Sequence, residues 1–239
     1  MAASKAKFLG NRYGDLEMKM KTFIAAAVLA AAPFAAHAAD YDWTGLYIGG
    51  TGGALGFSSK SSYTGLGYVA KSQGGGALAG FTVGYNQQFS ALVIGLEADY
   101  SYANSGNTGT SANGYTTSIP LATAKLTSFG SIRARVGYAF DHTLLYATGG
   151  YASAHIHNDA VDQYLNDPNY LASATKTQSG SVFGLGIEQA LSENITLKLE
   201  GLYANFSGDH AFDNANLEPN EFSFKNSAEI ARLGIAYKF

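Results

Sequence analysis

The chain of 239 residues contains no cysteine, which excludes a disulfide framework and all thiol chemistry. Charged residues make up only 14% of it, proline occurs 4 times and tryptophan once. No apolar run reaches the ~20 residues that a membrane-crossing helix requires. Residues 23–36 come nearest and fall short. What is abundant is glycine (29), tyrosine (16) and phenylalanine (14). That mixture suits many β-strands with close backbone approach and aromatic rings at an interface, and it is uncommon in helical proteins.

The N-terminal stretch "MKMKTFIAAAVLAAAPFAAHAAD" combines Lys19 and Lys21 with the apolar run 23–36 and an A-x-A site at Ala36 and Ala38. This order is that of a secretory signal peptide, residues 18–38, with cleavage expected between Ala38 and Ala39. Residues 1–17 are read as a non-native or disordered extension, because an ordinary signal begins at Met18 or Met20. Removing residues 1–38 takes away five of 15 basic and two of 18 acidic residues, which leaves 10 against 16 and a formal charge of −6. An acidic exported chain is a poor partner for nucleic acid, which is held through clustered Lys and Arg.

From Asp42 onward, eight segments alternate with a period of two, the mark of strands with two unlike faces. In "ALAGFTVGYN", Phe81, Val83 and Tyr85 alternate with Gly80, Thr82 and Gly84. In "ALVIGLEADYSY", Leu92, Ile94, Leu96 and Tyr100 oppose Gly95, Glu97 and Asp99. In "LTSFGSIRARVGYAF", Ile132, Ala134, Val136 and Tyr138 oppose Arg133, Arg135 and Gly137. The sixth, seventh and eighth segments set Leu185, Leu197 and Ile235 against Glu188, Lys198, Glu200 and Arg232. In the first, "DWTGLYIGGTGGAL", Leu46 and Ile48 favour one face although its glycines leave the phase uncertain, and the fifth, "TLLYATGGYASA", is less certain in phase.

Connections alternate in length. The turns "QQFS", "FDHT" and "LSEN" are short, whereas 57–74, 103–122, 156–177 and 207–222 read as long loops. Short turns at one end and long loops at the other are the pattern of a transmembrane β-barrel. Proline cannot donate to a strand ladder, and Pro120, Pro168 and Pro219 each fall in a different long loop. The expected fold is all-β: an eight-stranded, up-and-down antiparallel transmembrane barrel over residues 39–239. Its apolar parity faces lipid and its polar parity fills the interior. A soluble barrel with an apolar cavity is the competing arrangement, and it would expose the charges and bury Phe81, Leu96 and Ile132.

The motifs "WTGLYIGG", "GFTVGYN", "GLEADYSY", "SIRARVGYAF", "LLYATGGYA", "GLGIEQAL", "LKLEGLYA" and "RLGIAYKF" together resemble the small outer-membrane surface-antigen, porin-like barrels of alphaproteobacteria. That group is similar in architecture to the transmembrane domain of outer-membrane protein A. The resemblance implies location in the cell outer membrane, contact with its lipid and lipopolysaccharide, and a monomer. It also implies that the last strand, with Leu233, Ile235, Tyr237 and Phe239, is a signal for the insertion machinery as well as a lipid-facing surface. It is weak on activity, since such proteins are described as structural proteins, porin-like channels, adhesins and haemin binders.

By alternation, four acids (Glu97, Asp99, Glu188, Glu200) and four bases (Arg133, Arg135, Lys198, Arg232) face the interior. Glu97 and Arg133 fall at similar depth on adjacent strands, as do Glu200 and Arg232. Unpaired charge at membrane depth is costly, so a balanced ion-pair plug is expected, with a narrow channel as the alternative. The stretch "HIHNDAVDQYLNDPNY", read as part of the third loop, offers His155, His157 and Tyr164 as candidate haem or metal ligands. An extracellular ligand, haemin or a host or adhesion partner, would engage loops 156–177 and 207–222. No motif fixes a catalytic constellation, so neither an enzyme nor a cofactor is expected.

Overall fold

The computed structural model describes residues 41–63, 68–110, 121–161, 171–208 and 222–239. Within them eight strands close into one antiparallel barrel, each hydrogen-bonded to its chain neighbours and the last to the first. They are β1 (Gly45–Tyr63), β2 (Tyr68–Phe89), β3 (Leu92–Thr110), β4 (Leu121–Phe140), β5 (Thr143–Val161), β6 (Leu171–Ala190), β7 (Ile195–Gly208) and β8 (Phe222–Lys238). The export signal, its cleavage positions Ala36, Ala38 and Ala39, and the extension before it lie outside the described residues.

The hairpins at the short-turn end are tight. Ser90 and Asp141 take φ of 57° and 47°, the left-handed conformation that two-residue hairpin loops demand. Strands run from 14 to 22 residues, whereas about 9–11 tilted residues cross the hydrocarbon. The barrel therefore rises well beyond the membrane at its other end. This corrects the predicted loops, because residues 57–63, 68–74, 103–110, 121–122, 156–161, 171–177 and 207–208, read as loop, belong to strands. Ladder hydrogen bonds join backbones, so the Ser-, Thr- and Gly-rich margins of each strand continue to pair after the apolar alternation has faded. Pro120, Pro168 and Pro219 lie outside the described residues.

The outward parity is apolar. Leu46, Ile48, Phe81, Val83, Leu185 and Ile235 face out, with Leu96 65% and Ile132 67% exposed. Aromatic rings gather in two girdles. The lower holds Tyr138 beside Phe140 (centroids 4.6 Å) and Tyr237 beside Phe239 (5.1 Å). The upper holds Phe81, Tyr100 and Tyr102, the last two in an edge-on pair at 5.4 Å. Such rings anchor a barrel where hydrocarbon meets water. The uncertain phases are now clear: Leu46 and Ile48 share the outward face of β1, while Tyr47, Leu55 and Phe57 of β1 and Leu144, Tyr146 and Ile156 of β5 are buried.

Candidate functional site: the closed interior

The alternation that sends Leu96 and Ile132 outward turns Glu97 and Arg133 inward, directly opposite each other in the ladder. Glu188 likewise faces Lys198, and Glu200 faces Arg232. All eight predicted charges are buried and meet in one cluster. Its bonds run chiefly across the lumen. Arg133 of β4 pairs with Glu97 and reaches Asp99 at 3.1 Å and Glu200 of β7 at 2.9 Å. Arg232 of β8 holds Asp99 of β3 at 2.9 Å and Glu200 at 2.7 Å. Lys198 of β7 reaches Glu97 on the far wall at 2.7 Å, and Arg135 holds Glu188 of β6 at 2.7 Å. Four negative charges thus meet four positive ones in a lumen that an eight-stranded wall leaves just wide enough for side chains.

Two tyrosines complete the cluster. The Tyr47 hydroxyl donates to Glu97 Oε2 at 2.7 Å and accepts from Arg135 at 3.0 Å. Tyr146 donates to Glu200 Oε1 at 3.0 Å, and the Arg135 guanidinium lies 4.0 Å from its ring centroid. Each tyrosine sits opposite a glycine, Gly84 and Gly186 respectively. A Cβ on either glycine would come within 2.3 Å of the phenol ring or its oxygen, so a larger residue there would expel the tyrosine. Ser131 donates to Asp99, and Thr196 donates to Glu188 at 2.7 Å. Tyr47 and Tyr146 were missed in the sequence because glycines on both faces of β1 and β5 hid their inward parity, whereas Ser131 and Thr196 share the legible inward parity of Arg133 and Lys198 on β4 and β7.

The expectation of a polar interior throughout is incorrect. Above the charges, toward the long-connection end, the lumen is filled by an apolar layer that includes Leu55, Phe57, Leu126, Phe129, Ile156 and Phe206. A register shift between Leu126 and Ser128 of β4 brings both Leu126 and Phe129 inward, which strict alternation forbids. Below the charges, Tyr41, Trp43, Val93, Leu144, Tyr146 and Ala190 form a second apolar layer at the short-turn mouth.

Residues 41–44, expected to begin the first strand, instead fold beneath the barrel as its lower lid. Trp43 is 1% exposed, and its backbone N–H donates to Gln88 Oε1 at 2.7 Å. Lys238 clasps the lid from the far end of the chain: its ammonium donates to the Asp42 carbonyl and lies 4.2 Å from the Tyr41 ring centroid. Burial, helped by the negative charges of Glu188 and Asp42, pushes the Tyr41 phenol up to about 12. Hydrogen bonds from Thr44 hold the Asp42 carboxyl below its usual value.

Of the haem or metal candidates, the structure places two. His155 and His157 belong to β5 rather than to a loop and point to the outer wall, and Tyr164 lies outside the described residues. His155 Nδ1 lies 3.3 Å from Ser128 Oγ, and its Nε2 lies 3.1 Å from Thr177 Oγ1. Among the described residues no group of three or more His, Cys, Asp or Glu is placed to hold a metal ion.

The family model and the sequence relatives agree with this architecture. Residues 23–228 match the model of the outer membrane protein beta-barrel domain. The 31 kDa outer-membrane immunogenic protein of Brucella melitensis is 32% identical over 219 residues, covering 87% of this chain and 88% of that protein. The 22 kDa outer membrane protein of Rhizobium leguminosarum is 30% identical over 204 residues, covering 82% and 78%. Among solved structures, OprG from Pseudomonas aeruginosa aligns at 14% identity with a TM-score of 0.46, over 84% of this chain and 98% of that one. The chain belongs to the family of outer membrane β-barrel proteins and resides in the outer membrane.

Proposed function

We propose that the protein is a sealed barrel with a structural and surface-display role, which neither conducts ions nor catalyses a reaction. The observation that carries this reading is the position of the ion-pair cluster between two apolar layers. An ion crossing the lumen would first shed water among Phe57, Phe129 and Phe206, and then displace charges already paired with one another. Apolar constrictions of this kind exclude water and close a pore. The same burial argues against acid–base chemistry, since a substrate has no route to the carboxylates. The relatives' description as immunogenic supports a surface that antibodies reach. Planar-bilayer recording on the purified barrel should give no stable conductance step, and antibody raised against it should label intact cells. A large, steady conductance from the wild-type protein would overturn the sealed reading.

The same reading takes residues 18–38 as the export signal, so the intact mass of the outer-membrane form should correspond to a chain that begins at Ala39. It takes Leu233, Ile235, Tyr237 and Phe239 as the strand that the insertion machinery engages. Deletion of Phe239 should slow assembly in cells while leaving spontaneous refolding into lipid largely intact.

A further inference from the structure

We propose that residues 41–44 are a latch on the closing seam of the barrel, which docks only after β8 has met β1 and then holds the two strands against unfolding. The proposal does not depend on whether the lumen conducts. Its ground is the make-up of the seat. Beside the turn between β2 and β3, the Trp43 backbone N–H donates to Gln88 Oε1 at 2.7 Å, and the Gln88 N–H donates to Thr44 Oγ1 at 3.1 Å. The Tyr41 ring lies 6.1 Å from that of His142 in the turn between β4 and β5, and its hydroxyl donates to the Glu193 carbonyl at 3.2 Å in the turn between β6 and β7. Lys238, at the end of β8, donates to the Asp42 carbonyl and covers the Tyr41 ring. All three short turns and the last strand thus contribute, from positions 45, 152 and 196 residues away in the chain. No single hairpin supplies this seat, so it exists only once the wall has closed. The latch then adds contacts that the assembling chain lacks and the finished barrel has.

The segment has a hinge, a clasp and a deep anchor. Gly45 takes φ of +143°, which other residues rarely adopt, and a Cβ there would stand 3.0 Å from the Phe239 carbonyl oxygen. Glycine at this point lets the chain turn from strand into latch. Thr44 N–H donates to Asp42 Oδ1 at 2.8 Å, an Asx turn that shapes the segment locally. The clasp lies on the seam itself. β1 and β8 pair down to Tyr47 and Lys238, the Phe239 N–H donates to the Leu46 carbonyl at 2.9 Å, and Asn194 holds the Lys238 backbone at 2.7 and 2.8 Å. Pairing frays from the ends of an element, so the contact of Lys238 with Asp42 sits where the seam would open first. Trp43 is the anchor, edge-on to Tyr41 at 4.8 Å and among Val93, Leu144, Tyr146 and Ala190. Its indole N–H has no acceptor among the described residues, so apolar burial and shape seat the ring.

The test is the refolding and unfolding of the purified outer-membrane form in lipid vesicles. Far-UV circular dichroism follows the strands, and emission from Trp43, the lone tryptophan, follows the latch. In the wild-type chain the Trp43 signal should lag behind the strand signal. Trp43→Ala should unfold about a hundredfold faster yet refold within about threefold of wild type, because a contact made after the transition state acts on the unfolding rate alone. Trp43→Phe keeps an apolar ring and should recover most of the loss. Burial of Trp43 together with strand formation, an unchanged unfolding rate in Trp43→Ala, or a slowing of refolding that accounts for its loss overturns the proposal. If Trp43→Ala does not fold, Lys238→Met replaces it, since it removes the ammonium, keeps the stem and leaves Trp43 as reporter. Unfolding about tenfold faster with unchanged refolding is then expected, and an unchanged unfolding rate overturns the proposal.

Discussion

The charged layer and the apolar layer above it are built by the same strands, on the same inward parity, and both are buried, yet they fill the lumen in opposite ways. The lower one is a network in which each charge depends on partners from across the barrel, so that Arg133 touches three acids. The upper one is a packing of Leu, Ile, Phe, Val and Ala side chains, held by many individually small contacts. Burial alone therefore does not set the character of a barrel interior. A cluster of ions is specific and brittle because removal of one member leaves others uncompensated. Apolar packing is compliant because neighbours partly relax into the space.

The largest effect should come from the brittle layer. Arg133→Ala leaves Glu97, Asp99 and Glu200 short of a partner and should cost about 3–5 kcal/mol in unfolding from lipid vesicles. Adding Glu97→Gln should recover only part of this, because Asp99 and Glu200 keep just Arg232 as a close cationic partner. Full recovery would mean that the cluster is a set of independent pairs. A change in ion selectivity with stability untouched would mean that the charges line a working channel.

On the other face of the same wall, Leu96→Arg places an unpaired charge against hydrocarbon and should cost about 2–4 kcal/mol. Asn104→Arg, also outward but eight residues further along β3, should cost about 0–1 kcal/mol. Equal costs at the two positions, measured by refolding into lipid, would show the membrane band to be misplaced. In the apolar layer, Ile230→Val should cost only about 1 kcal/mol. A loss comparable to that of Arg133→Ala would remove the distinction between the layers.

At neutral pH the smallest effect should come from the Tyr41 hydroxyl of the lower lid, whose titration acts only in alkali. The Tyr41 phenol is raised from an ordinary 10.0 to about 12. Its contribution to stability is therefore whole below pH 10 and is lost as pH rises from 10 through about 12, where the unfolded chain ionises and the folded one does not. Tyr41→Phe, followed by Trp43 fluorescence during unfolding, should flatten that part of the stability profile. A profile identical to wild type would place Tyr41 in water rather than beneath the barrel.

Much of this was legible in the alternation. The runs from Leu92 to Tyr100 and from Ile132 to Tyr138 state both faces of β3 and β4, and with them the inward charges. Less legible were β1 and β5, where glycines on both parities conceal Tyr47 and Tyr146 as members of the cluster. The position of His155 and His157 was misjudged because backbone pairing outlasts the side-chain pattern by which a strand is recognised.

The sequence by itself determined the number of strands, the faces of all but the glycine-rich β1 and β5, and the balance of charge within, because the two-residue period of an extended chain ties side-chain direction to position. Only the closed barrel decided which charges meet across the lumen. Glu97 with Lys198 and Asp99 with Arg232 are pairs 101 and 133 residues apart in the chain, brought together by the curvature of the wall. The lid is of the same kind. Trp43 is buried because the last strand closes onto the first and brings Lys238 over Asp42 and Tyr41, a contact that no local pattern encodes.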